Sequence, residues 1–194
     1  MEIGATKAVQ DRLKTTKIEE SKGASLVFCW DTHLTKIKGR NVLFIVNASN
    51  RYTIAMTDIE PRNWNYYTMY IRSVIHGVMQ EMGYSEDQIG QYFKMSGDTI
   101  VTKTHGRKSV GGINRMVMDA QYFGKKLEKE AKYQWELSEY LNRDICQPEG
   151  FDAYGYPSEL FKLDMERLGI AAKRKPAKVI DFAQYIEDNR GTND

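Results

Sequence analysis

The sequence predicts an α+β fold: an antiparallel β-meander sheet with helices packed on one face, plus a C-terminal helical appendage. Residues 26–37, 42–46 and 51–57 are alternating or β-branched apolar runs separated by Gly- and Asn-containing turns, the pattern of consecutive hairpin strands. From residue 61 onward, apolar residues recur every three to four positions, as on amphipathic helices. Strand runs followed by helix runs favour a segregated α+β fold over a wound parallel sheet. At 194 residues, the chain suits one domain with an accessory segment. The expected division is an α+β domain over 1–145 and a linker with short accessory helices over 146–194.

Residues 1–6 read as a short strand, and residues 7–14 as a helix with Ala8, Val9 and Leu13 on its apolar side. Residues 15–25 are polar and read as a loop. Along 26–37, Phe28, Trp30, Thr32 and Leu34 share one strand face, and Cys29, Asp31 and His33 share the other. That second face is expected to meet solvent. Residues 38–41 and 47–50 are turns, because Gly and Asn accept positive φ. Pro61 suits a first helical position, and Trp64, Tyr67, Ile71, Val74, Ile75, Val78 and Met82 repeat at helical spacing as far as Gly83.

Ser85 and Gln88 have capping-box spacing for a helix that buries Ile89, Tyr92 and Phe93 and closes at Gly97. Residues 98–104 are β-branched and read as a returning strand. A basic loop follows, then one long helix over about 112–142. Residues 146–157 contain Pro148, Gly150, Gly155 and Pro157 and read as a linker. Ser158 can cap a short helix, residues 173–178 form a basic hinge, and residues 179–186 suit a last short helix.

Hydrophobic residues at 41% and charged residues at 28% exclude a wholly disordered, coiled-coil or collagen-like chain. No apolar run approaches the ~20 residues of a membrane span. The first residues carry acids and no apolar stretch, so no signal peptide is expected. Two cysteines, Cys29 and Cys146, cannot make a disulfide framework. The expected compartment is a reducing cytoplasm. Net charge is only +2, but the first 120 residues hold four more bases than acids and the remainder two more acids than bases.

The most informative local feature is the basic loop. No acid lies between Asp98 and Asp119, while Lys103, Arg107, Lys108 and Arg115 are present and His105 adds a titratable group. Ser109 could cap the following helix, whose first amides would face the same space. Strand, Gly-containing basic loop and helix start together suit an anion or phosphate site. Lys36, Lys38 and Arg40 form a basic hairpin tip that could extend this site into a stripe. Gly97 to Thr104 has Walker spacing except for Thr102 where the loop needs glycine, so a nucleotide loop is excluded. Cys29, Asp31 and His33 offer metal-competent types, but side chains two apart on a strand point outward in parallel and no fourth ligand is evident. No metal, cofactor or catalytic residue is expected. Tyr66, Met69 and Tyr70 fall partly off the buried helical face and suit an interface.

Residues 1–7 (Met-Glu-Ile-Gly-Ala-Thr-Lys), 28–34 (Phe-Cys-Trp-Asp-Thr-His-Leu), 47–52 (Asn-Ala-Ser-Asn-Arg-Tyr) and 102–104 (Thr-Lys-Thr) together resemble an uncharacterised bacterial domain family met in plasmid and mobile-element proteins. The resemblance covers about residues 1–125. It departs at Cys29 and Asp31, where the family pattern has Ser and His. It implies no catalytic residue. The chain as a whole is also similar to type II-A anti-CRISPR proteins of gut bacteria and their phages. That similarity implies binding to a Cas9–guide RNA particle and a block of DNA binding or cleavage, and it assigns no residue roles. An inhibitor of this kind could place acids such as Glu128, Glu130, Glu136 and Glu139 in the positively charged channels of the nuclease. The expected function is thus a non-enzymatic binding protein with a protein or nucleoprotein partner. The alternatives are a nucleic-acid-binding module using residues 103–115, or a domain or enzyme binding an anionic small molecule there.

Overall fold

The computed structural model describes residues 1–14 and 17–172. The basic hinge at 173–178 and the helix expected over 179–186 lie outside the described residues. Among the described residues the fold is a five-stranded sheet with seven helices. In chain order these are β1 (Glu2–Ala5), α1 (Lys7–Leu13), β2 (Cys29–Ile37), β3 (Arg40–Asn47), β4 (Thr53–Thr57), α2 (Pro61–Asn65), α3 (Tyr67–Glu81), α4 (Glu86–Ser96), β5 (Ile100–Thr102), α5 (Gly106–Gln121), α6 (Trp135–Asn142) and α7 (Pro157–Arg167). No helix among them is long and apolar enough to cross a membrane.

The sheet order is β4-β3-β2-β1-β5. Strands β2, β3 and β4 form the expected antiparallel meander, with Trp30 opposite Asn47 and Ile45 opposite Ile54. Strand β1 pairs in parallel with both β2 and β5, so the sheet is mixed and not wholly an antiparallel meander. The β1–α1–β2 crossover explains why: a parallel neighbour needs a long return path, and α1 with the residues after it supplies one.

Helices cover both faces, where one was expected. On the first face, Ile3, Trp30, Leu43, Ile45, Ile54 and Met56 pack with Val9, Ile71, Ile75, Tyr92, Phe161 and Met165 from α1, α3, α4 and α7. On the second, Val42, Phe44, Val46 and Ala55 meet Ile113, Met116 and Ala120 of α5 and Leu137 and Leu141 of α6. The face of β2 carrying Cys29 and Asp31 is therefore an interior face, and both residues are fully buried.

The helix expected over 112–142 is two helices. Residue Gln134 explains the break. It is buried, its amide donates to Thr57 Oγ1 at 3.0 Å and to the Ala131 carbonyl at 2.6 Å, and its side-chain oxygen accepts from Glu128 N at 2.8 Å. The intervening segment is folded onto β4, where Lys132 O accepts from Thr57 N. Helix α6 completes the cover of that edge. Ser138 Oγ accepts from Ala55 N, and the Asn142 amide accepts from and donates to the Thr53 backbone at 2.8 Å. An edge strand whose polar groups are met this way cannot template another strand.

The helix expected from Pro61 breaks at Tyr66, whose φ of −112° and ψ of 42° leave the helical region. Trp64 and Tyr67 stack across the break with ring centroids 5.7 Å apart. The Ser85–Gln88 capping box forms, and α4 buries Ile89 and Tyr92.

Candidate functional site

The polar centre of the molecule lies where β1, β2 and the start of α5 meet. Register sets it up. Glu2 stands beside Cys29, and Gly4 beside Asp31, on adjacent parallel strands. Strand β5 on the other side of β1 then delivers residues 103–105 to the same place.

Asp31 is fully buried and its carboxylate sits at the N-terminus of α5. It accepts from His105 N at 3.2 Å, from His105 Nδ1 at 2.7 Å and from the Ser109 hydroxyl. Helix α5 begins at Gly106 with His105 as its cap residue. Ser109 therefore lies inside the first turn and is not the cap that the sequence leads one to expect. A negative group at a helix N-terminus is favoured by the unpaired amides there, and in this fold the chain provides that anion itself.

His105 is held from both sides, with Nε2 3.1 Å from Glu2 Oε2. The Glu2 carboxylate also accepts from Lys22 N at 2.7 Å and Ala24 N at 3.3 Å. Burial works against charge on His105, but hydrogen bonds and charge from Asp31 and Cys29 outweigh it and push its pKa up to about 10. Burial pushes the Glu2 carboxyl up, while the Ser21 hydroxyl, the Ala24 and Lys22 amides and His105 together hold it below its usual value. Cys29 Sγ lies 3.5 Å from Ser25 O and 3.6 Å from Ala24 O. The sulfur, the Glu2 carboxylate and the His105 ring nitrogen all fall within 4.8 Å of one another. His33, further along β2, stands apart from this group and contacts Thr6 Oγ1 at 3.3 Å.

Gly4 is required here because an added Cβ would overlap Asp31 Oδ1 and stand 3.0 Å from the Thr104 backbone. Gly4→Ala is expected to cost about 1–3 kcal/mol, the range for overpacking a filled interior. Urea unfolding measures this loss, and an unchanged midpoint would contradict the packing described.

The basic residues of the sequence separate into two sets. Lys38 Nζ donates to Lys125 O at 2.9 Å, and Arg40 donates to Glu128 O at 2.6 Å and pairs with Asp58. These two brace the segment between α5 and α6. Lys108 reaches Pro148 O at 3.3 Å. Lys103 is exposed at a depression that Glu19 and Glu20 also line. Among the described residues Arg107 is exposed with no ion-pair partner, and Arg115 pairs with Asp119 one turn on, at the surface. Lys36 is exposed, and its carbonyl accepts from Gln121 at the far end of α5. Helix α5 thereby links the basic loop to one residue of the hairpin tip. Tyr66 and Met69 are exposed, while Tyr70 is half-buried with no hydrogen-bond partner for its hydroxyl among the described residues.

Sequence reasoning placed His105 among the loop cations and left Glu2 and Asp31 unassigned as its partners. The parallel β1–β5 pair joins them, and residues 74 and 103 positions apart give no local signal.

No curated protein and no solved structure matches the chain. A family model described as "Domain of unknown function (DUF6933)" matches residues 2–160. The match takes in all five strands, the Glu2–Asp31–His105 junction and the start of α7, and the chain belongs to that family.

Proposed function

We propose that the protein is a non-enzymatic binding protein that recognises a nucleic-acid backbone, in a nucleoprotein particle or free, along the outer face of α5. The observation that carries this reading is the composition of that face. Arg107, Gly111, Asn114, Arg115 and Met118 are exposed at successive helical turns. Within α5 no acid precedes Asp119, and Lys36 adjoins the C-terminal end. Sixteen residues of helix extend about 24 Å, enough to follow several phosphates. A Gly at the middle of the face lets a backbone approach closely. The groups capable of acid–base chemistry support the same reading from the other side. Glu2, Asp31 and His105 are engaged with one another, and the His105 side chain is 8% exposed.

The Cas9–guide RNA particle is the partner that the chain-wide similarity implies, and it presents backbone phosphates of this kind. An origin in phages or mobile elements and a cytoplasmic site of action suit such an inhibitor. The test has two arms. Added protein should suppress target cleavage by type II-A nucleases, and Lys36→Ala with Arg107→Ala should weaken that suppression and the binding of labelled duplex without lowering the melting temperature. Equal binding by the double variant would remove α5 as the contact.

A further inference from the structure

We propose that Glu2, Cys29 and His105 form a binding site for a zinc-class divalent metal ion that ties β1, β2 and the start of α5 together. The three side chains supply a carboxylate oxygen, a sulfur and an imidazole nitrogen, each from a different segment, with ligand atoms within 4.8 Å of one another. Around one tetrahedral zinc such atoms stand about 3.3–3.6 Å apart. The Glu2–His105 pair, at 3.1 Å, is already near that spacing, so the widest pair needs to close by only about 1 Å.

The surroundings of His105 add an independent reason. Metal-binding histidines are typically oriented by a carboxylate on the other ring nitrogen. Asp31, fully buried, takes that position on Nδ1 at 2.7 Å, which leaves Nε2 facing Glu2. Asp31 is thus a positioning residue for the ligand. The donor set selects the ion. A thiolate and an imidazole suit zinc, cobalt or iron(II) and disfavour magnesium and calcium, which take oxygen ligands. Of the three ligands only His105 lines the adjoining depression of about 650 Å³, with Ser21, Thr104 and Gly106, so a water completing the set as fourth ligand would have to reach the ion from the His105 side. A bound ion would sit between His105 Nε2 and Glu2, where the two now meet directly, and it would add a link between segments that hydrogen bonds, ion pairs and core packing already join.

The test uses the full-length protein, purified without chelator and titrated with cobalt(II). One equivalent should bind, with a near-ultraviolet thiolate-to-cobalt band and the visible bands of a four-coordinate ion, and zinc should displace it. Cys146→Ser should keep the thiolate band, and Cys29→Ser should lose it while circular dichroism shows a folded chain. His105→Gln should weaken cobalt affinity at least tenfold. Folded wild-type protein that binds no cobalt, or a thiolate band that survives Cys29→Ser, would overturn the proposal. Loss of the band in Cys146→Ser alone would overturn it as well. Should Cys29→Ser fail to fold, the wild-type and Cys146→Ser titrations decide the matter by themselves. None of these outcomes depends on whether α5 binds nucleic acid.

Discussion

Replacing Asp31 by Ala is expected to destabilise the protein by about 3–5 kcal/mol, the cost of breaking a buried ion pair from one side. The carboxylate is fully buried and accepts from the His105 amide, His105 Nδ1 and the Ser109 hydroxyl. Its removal leaves a buried imidazolium facing Glu2 alone and strands two donors at the start of α5. An unmet buried donor costs about 1–3 kcal/mol, so several such losses converge on one substitution. Asp31→Asn keeps the volume and one acceptor and should recover part of the loss. Equilibrium denaturation of the metal-free protein measures both variants. A loss below 1 kcal/mol for Asp31→Ala, the size typical of a surface pair, would show that the junction does not hold the fold.

Phe161→Ala is expected to cost a similar amount, about 3–5 kcal/mol, as for other buried aromatic truncations. Phe161 is 1% exposed. Its ring lies 5.2 Å from Tyr52, 6.1 Å from Trp30 and 6.2 Å from Tyr84, so truncation opens a cavity between α7, β2 and the residue that leads into β4. Trp30 in turn donates to Tyr92 Oη at 2.9 Å, and Tyr92 donates to Val27 O at 2.7 Å. A void beside Trp30 loosens the indole that anchors this chain of bonds. The variant should unfold in one transition, with far-ultraviolet and aromatic signals coinciding at a lower midpoint. Wild-type stability, or loss of α7 in a separate early step, would mean that α7 does not fold with the sheet.

What could be read from the sequence is what neighbouring residues decide. The β2–β3–β4 meander follows from alternation and from turn residues such as Gly39, at φ 82°. The Ser85–Gln88 box follows from a three-residue spacing. The parallel pairing of β1 depends on partners 27 and 98 residues away, for which a four-residue strand carries no signal. The continuation of helical spacing past residue 121 has a specific cause. Phe123 and Leu127 are buried in the same core layer as α5 and α6, although the segment carrying them is not helical. Apolar spacing recorded burial there, and Gln134 decided the backbone. The basic loop was visible as composition, but Asp31 appeared as a strand-face acid, because only the assembled sheet shows that it faces a helix start.

The salt dependence of duplex binding tests the proposed role of α5 most directly. Each phosphate contact contributes about 0.9 to the slope of log affinity against log salt concentration. Lys36→Ala with Arg107→Ala should therefore flatten the slope by up to about 1.8 while the melting temperature stays at the wild-type value. An identical slope for wild type and double variant, with both folded, would contradict the account.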